Sequence, residues 1–253
     1  MNYTVNIIKL SAIDSTNEYL KINFLETIKN DIQIAYTFNQ TKGKGQRGNS
    51  WISEPDKNLA FSVLFVPNNL KIQNQFFINI IFSLFIFNTL KSLKIPDIKI
   101  KWPNDIMSGN KKICGILNEL KVKGNKIEKI IIGFGLNINQ ENFENLPNAS
   151  SLKILNGTNY DLNRLTMLFI QNLKKYHYLD FLINPESKND IDNFFSLYNK
   201  NLYGLNKSFK FKDSKNNCFF GKIYNVDKEG LLKIKKNDDS FEYFNFHEIK
   251  MIY

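Results

Sequence analysis

Apolar and polar positions along this chain fall into blocks of two kinds, and their order outlines the fold. Val5 to Leu10 reads as a first strand and runs into Asp14-Ser15-Thr16-Asn17-Glu18. Ser15 followed three residues later by Glu18 is a capping box, which predicts a helix through about Ile28 with Ile13, Tyr19, Leu20 and Leu25 near its apolar side. Ile34 to Phe38 and Leu59 to Val66 are strands, the second ended by Pro67. Gln75 to Leu93 is apolar all round and predicts a buried helix, with Phe76, Phe77, Phe82, Phe85 and Phe87 as core packing. Its most apolar part, Phe76 to Phe87, is interrupted by Asn79 and Ser83 and is too short to span a bilayer. Ile98 to Lys101 is a strand stopped at Trp102-Pro103, Lys111 to Glu119 opens another, and Ile127 to Ile132 leads into Gly133-Phe134-Gly135-Leu136-Asn137.

A long amphipathic helix follows from Asp161 to about Ile183, then a polar stretch at Asn184 to Asp190 and a helix from Ile191 to Tyr198. From Leu202 the pattern changes to short strands: Lys207–Lys212, Cys218–Asn225, Leu231–Lys236 and Phe241–Phe246, with Asp227-Lys228-Glu229-Gly230 a tight turn. The expected architecture is α+β, a mixed sheet flanked by helices over residues 1–201 and a small β-barrel over residues 202–253.

Composition narrows the function classes. The 253 residues suit one large domain or a large and a small one, and 43% hydrophobic content fits a soluble globule. The net charge of +10 points to an anionic partner, but nearly all the cations are Lys, with Arg47 and Arg164 the only arginines. Charge alone therefore does not imply nucleic acid, and none is expected. Cys114 and Cys218 lie far apart, and His177 and His247 are isolated, so a zinc site, a disulfide framework and a His-based triad all lack their parts. Cys114, in an apolar run, reads as a packed residue rather than a nucleophile. No basic-then-apolar leader opens the chain, so a cytoplasmic protein with no membrane partner is expected.

The candidate chemistry centres on Gln40-Thr41-Lys42-Gly43-Lys44-Gly45-Gln46-Arg47-Gly48-Asn49-Ser50-Trp51. Three glycines alternating with three cations bring N–H groups and positive charge to one place, which suits an anion, although a solvated turn has the same composition. Neither the P-loop nor the dinucleotide glycine spacing fits. Ser15, Thr16 and Asn17 either cap the helix or offer hydroxyls, an amide and free N–H groups to a polar ligand atom, and both can hold at once. Lys101-Trp102-Pro103-Asn104-Asp105 is either turn chemistry or a cation, aromatic plate, amide and carboxylate gathered to clamp a base, position Mg²⁺ and meet an amine. Lys112 precedes a buried run in which Gly115 permits close approach.

Taken in order, Ser15-Thr16-Asn17, Gln40 with the Gly43-Lys44-Gly45 loop and Trp51, Lys101-Trp102-Pro103-Asn104-Asp105, Lys112 with Gly115, and Gly133-x-Gly-x-Asn137 resemble the biotin protein ligases. The resemblance covers most of the chain, and Lys-Trp-Pro-Asn-Asp is its most specific part. It implies a sheet of the class II aminoacyl-tRNA-synthetase-like, biotin/lipoate-ligase type and a C-terminal barrel like a Src-homology-3 domain. It implies ATP, Mg²⁺ and biotin as ligands, and the lysine of a biotin carboxyl carrier protein as acceptor. The biotin carboxylate attacks the α-phosphate of ATP to give biotinoyl-adenylate and pyrophosphate, and the carrier lysine then attacks that anhydride. No protein nucleophile is needed, in keeping with the missing triad; positioning and electrostatics suffice.

By the same resemblance, Ser15, Thr16, Asn17, Gln40, Gly43, Lys44, Gln46, Lys112 and Gly115 surround biotin, with Lys112 reaching its carboxylate and the α-phosphate. Arg47, Gly48, Trp51, Lys101, Asn104, Gly133 and Asn137 take the nucleotide side, and Lys112, Asp105, Asn104 and Lys44 carry the chemistry. Mg²⁺ would sit near Asn104 and Asp105. Many members read Gly-Arg-Gly-Arg where this chain has Gly43-Lys44-Gly45-Gln46, so a planar fork and one charge are lost and weaker adenylate retention is expected. Only about fourteen residues precede Ser15, so the form without an N-terminal DNA-binding domain is expected, and the family includes homodimers. The competing readings are a lipoate or octanoate ligase of the same fold, and a ligand-dependent nucleic-acid-binding module without turnover.

Overall fold

The structure, a computed structural model, describes residues 3–24, 31–144, 146–175, 178–183 and 188–252. The expected end of the first helix, His177 and the start of the polar stretch after Ile183 lie outside the described residues.

β1 (Thr4–Leu10) leads to α1 (Thr16–Asn23), where Ser15 caps as expected, its Oγ accepting from the Glu18 N–H at 3.4 Å. Glu18 turns away from the cap and pairs with Lys44. β2 (Asp31–Thr37) enters the glycine loop, which folds as a small hairpin of β3 (Gly43–Lys44) and β4 (Ser50–Trp51) around a 3-10 turn. β5 (Asn58–Phe65) and α2 (Gln75–Ser92) follow. β6 (Ile98–Lys101) and β7 (Asp105–Ser108) form a hairpin whose turn is Trp102-Pro103-Asn104, with Lys101 paired to Asp105 in register. The Asn-Asp pair is thus turn chemistry, as one of its two readings held. β8 (Lys111–Lys123) and β9 (Lys126–Asn137) are long partners, and β9 runs on through Gly133-Phe134-Gly135 instead of breaking there.

These strands make one seven-stranded sheet in the order β1-β2-β5-β9-β8-β7-β6. Only the β1–β2 pairing is parallel; a mixed sheet results. Side chains alternate faces along a strand, so the sheet has two different surfaces. Ile34, Val63 and Ile132 face the main core with α2. Helix α2 buries 13 of its 18 residues there, each large apolar side chain contributing about 1.5–3 kcal/mol. With the turn before it, this helix is the one stretch of 21 described residues apolar and long enough to cross a membrane, longer than the sequence reading allowed. Its burial against the sheet fits the expected core role. The opposite face carries Ala35, Leu64 and Ile131 under Leu20 of α1.

α3 (Leu152–Asn156), which the sequence did not suggest, precedes α4 (Leu162–Lys175) and α5 (Tyr178–Ile183); these two stand where one long helix was expected. α6 (Lys188–Lys200) leads to β10 (Ser208–Asp213), β11 (Cys218–Val226), β12 (Leu232–Lys236), β13 (Phe241–Phe244) and β14 (Ile249–Ile252). They form an antiparallel sheet in the order β13-β12-β11-β10-β14, consistent with the Src-homology-3-like expectation; β14 was not anticipated. The turn at Gly230 joins the two parts, its carbonyl accepting from Trp102 Nε1 at 2.9 Å.

Candidate active site

The helix-free half of the α1 face of the large sheet is where a cavity opens. Ala60, Gly135 and Gly115 lie side by side across β5, β9 and β8, and Ser62, Gly133 and Leu117 form the next row. Small residues at these alternate positions leave the sheet surface low, and the space above it is a cavity of about 440 Å³. The glycine loop, the turn after β6 and the C-terminal sheet complete its walls.

Trp51 fills part of that space. Its indole lies so close to the glycine row that a Cβ on Gly135 would stand 2.3 Å from the ring, and one on Gly115 3.1 Å. Lys112 Nζ approaches the same point, 5.6 Å from the centre of the Trp51 ring. It is also 2.7 Å from Asp105 Oδ1, a buried oxygen without a hydrogen bond, so the two form an ion pair. Burial pulls the Lys101 pKa down; Asp105 opposes this and Lys112 and Lys250 reinforce it. Asn104 Nδ2 donates to the Ile116 carbonyl at 2.6 Å, which ties the turn to β8.

At the other end, polar side chains interlock. The Thr16 N–H donates to Gln40 Oε1 at 2.9 Å, and Thr16 Oγ1 lies 2.7 Å from Ser62 Oγ. Ser62 Oγ donates to Asn17 Oδ1 at 2.6 Å, and Asn17 Nδ2 donates to Glu119 Oε2 at 2.9 Å. The capping reading of Ser15-Thr16-Asn17 holds, and the same three residues line the cavity.

Most of the sequence-predicted residues meet here: Ser15, Thr16, Asn17, Gln40, Lys44, Gln46, Trp51, Lys101, Asn104, Asp105, Lys112, Gly115 and Gly133 all line the cavity. Four differ from expectation. Gly43 lies behind the wall, where a Cβ would meet the Trp51 carbonyl at 2.4 Å, so it serves the hairpin. Gly48 takes a positive φ of 75° at the loop's outer turn, and the Arg47 side chain lies outside the description. Asn137 is buried off the cavity, donating to the Ser150 carbonyl at 3.0 Å. Gly133 lies at the polar end, not the indole end: its missing Cβ makes room for Asn17 Oδ1 and Ser62 Oγ.

The two described cations of the loop are already paired rather than free. Lys42 pairs with Asp14 at 2.8 Å and Lys44 with Glu18 at 3.0 Å, both at the exposed start of α1. Ser62, Gly135, Glu119 and the C-terminal wall with Lys250 and Met251 were missed. They stand singly in strand patterns; Gly135 alone had a signal, as the second glycine of Gly133-x-Gly. Cys114 is fully buried and burial raises its thiol pKa, which fits the packed reading.

Several known proteins resemble this chain in sequence or in fold. The chain is 30% identical to the bifunctional ligase/repressor BirA of Escherichia coli, over 65% of this chain and 51% of that protein. It is 27% identical to the biotin–[acetyl-CoA-carboxylase] ligase of Mycobacterium tuberculosis, over 53% of this chain and 50% of that one. It spans at most 60% of the length of the BirA proteins it matches from Bacillus and Escherichia. The fold is that of the biotin protein ligase from Aquifex aeolicus in complex with biotin and ATP, with a TM-score of 0.77, 24% identity and 98% of each chain covered. Residues 10–137, which hold the polar end, the glycine rows and the Lys112–Asp105 pair, match the family description itself, and over that half of its length the chain is a member of the biotin/lipoate A/B protein ligase family.

Proposed function

We propose that the protein is a biotin protein ligase, which activates biotin with ATP to biotinoyl-5'-AMP and passes the acyl group to a lysine of a biotin carboxyl carrier protein. The observation that carries the reading is the meeting of Lys112, Asp105 and Trp51 over the Gly115–Gly135 row, midway along a cavity whose far end is polar. A carboxylate and an α-phosphate repel each other, and an ammonium placed between them removes that barrier. Losing one such donor in a dry site costs about 2.7–4 kcal/mol of transition-state stabilisation.

Asp105 holds Lys112 in place before anions arrive. Once the ammonium turns to the substrates, the carboxylate is free to meet the carrier's amine. The polar end, with Thr16, Asn17, Ser62 and Gln40, suits a cyclic urea better than a dithiolane or an alkyl chain. Among the described residues no three His, Cys, Asp or Glu side chains gather as a metal site. Asp105 and Asn104 can still supply the one or two oxygens that Mg²⁺ takes from protein when nucleotide phosphates supply the rest. The ion would neutralise phosphate charge there.

Pyrophosphate exchange into ATP, run with biotin, lipoate or octanoate, tests the reading. Exchange with biotin alone, lost in Lys112→Ala, is expected. Exchange with lipoate or octanoate instead would overturn the substrate, and no exchange with any acid while biotin still binds would overturn the enzyme.

A further inference from the structure

We propose that Glu119 is a positioning residue that fixes the direction of the Asn17 amide and of the Ser62 and Thr16 hydroxyl protons at the polar end of the cavity, and thereby makes Thr16 Oγ1 an acceptor for the ligand. The inference rests on the biotin reading above and concerns a residue that does not line the cavity.

A carboxylate can only accept, so the contact of 2.9 Å between Glu119 Oε2 and Asn17 obliges Asn17 to present its NH₂ there. Asn17 Oδ1 then faces Ser62 Oγ at 2.6 Å, and an amide oxygen also only accepts, so the Ser62 proton points to Asn17. A hydroxyl has one proton. Ser62 Oγ must therefore accept from Thr16 Oγ1 at 2.7 Å, a contact whose direction the distance alone leaves open. This commits the Thr16 proton to Ser62 rather than to Gln40 Oε1, which is farther at 3.3 Å and already receives the Thr16 N–H at 2.9 Å. Each proton in the series points towards Glu119.

The consequence appears at the cavity surface. Thr16 Oγ1 has lone pairs left but no proton, and Gln40, its oxygen occupied, offers its NH₂. An acceptor beside a donor complements a group with N–H and C=O on one edge, as in a cyclic urea; a dithiolane or an alkyl end satisfies neither. Gly133 is part of the same device, since a Cβ there would stand 2.3 Å from Asn17 Oδ1 and 2.7 Å from Ser62 Oγ. Lys21, 3.7 Å from Glu119 Oε1, balances the carboxylate's charge from the solvent side.

The test is calorimetric binding of biotin and, separately, of ATP to the full chain, with Glu119→Leu, Glu119→Gln and Ser62→Ala beside wild type. Leu frees Asn17 to turn over and Ala cuts the series, so each is expected to weaken biotin about tenfold, the worth of one mispaired hydrogen bond. Gln keeps an oxygen opposite Asn17 Nδ2 and should restore affinity to within about threefold of wild type. ATP binding should hold, and in turnover KM for biotin should rise while kcat does not fall. Wild-type biotin affinity in Glu119→Leu would overturn the proposal. So would equal weakening of biotin and ATP, which marks a merely structural role. A wild-type protein that binds no biotin would instead overturn the function on which the inference rests.

Discussion

The Trp51 indole rests against the bare backbone of Gly135, at a distance where a Cβ on that glycine would sit 2.3 Å from Cε2 of the ring. The contact joins a Gly/Lys loop to β9, the central strand of the large sheet. If Trp51 is the face for the nucleotide base, its position is set by what Gly135 lacks. Gly135→Ala should push the indole off the sheet and weaken ATP binding about tenfold or more, given that overpacking costs about 1–3 kcal/mol. Titration with ATP reads the loss, and unchanged affinity would remove Trp51 from the nucleotide side.

Lys112 and Asp105 depend on each other unequally. Lys112 is about a third exposed and loses little by standing alone, whereas Asp105 Oδ1 is buried with the ammonium as its close partner. Lys112→Ala should therefore cost stability of about 1–3 kcal/mol, at the lower end because water reaches the pair. Adding Asp105→Asn should return part of it. Urea denaturation of the two variants measures this, and additive losses would contradict the coupling.

Gln46 lines the cavity without a charge, and Lys44 beside it already holds Glu18. Gln46→Arg should bring in a guanidinium that no carboxylate has claimed and slow release of the adenylate by about 1–3 kcal/mol in binding. The half-life of the protein–adenylate complex after dilution is the readout; no change would show that the loop's backbone does the holding.

Lys101 gives the site a pH dependence of known sign. Burial is the main cause of its lowered pKa. Between that lowered value and the ordinary 10.5 the unfolded chain binds more protons than the folded one, so folding gains stability as pH rises through the interval. Compared with Lys101→Met, wild type should gain ground as pH approaches 10.5, read from urea midpoints. A bound polyphosphate, by favouring the ammonium, should flatten that trend.

Much of the site was legible because its chemistry comes in short runs. Ser15-Thr16-Asn17 sits at a cap signal, and Lys101 to Asp105 sits at a strand end that proline makes visible, so both could be placed before any coordinates. Ser62 and Glu119 could not, because Ser62 is a lone hydroxyl in an apolar run and Glu119 follows Asn118 at a strand's polar end, and only the packing of the sheet against α1 brings them beside Asn17. The packing of Gly133 beside Asn17 and Ser62, rather than beside Trp51, was hidden for the same reason. Which row of the sheet a glycine occupies depends on its partners, here Ser62 and Leu117, and not on its neighbours in sequence.

The sequence by itself determined most of the strands and helices in their order, though not β7, α3, β14 or the division between α4 and α5, together with the buried character of α2 and the set of groups able to bind anions and polar atoms, because periodicity, capping and turn residues act over a few positions. Tertiary structure alone decided which groups remain available. It pairs Lys42 with Asp14 and Lys44 with Glu18, brings Lys250 and Met251 from β14 to the cavity wall, and aligns the protons from Thr16 to Glu119. Charge pairing and hydrogen-bond direction are properties of neighbours in space, and the pleat of the sheet, with one face turned to α2 and the other to α1 and the cavity, sets those neighbours.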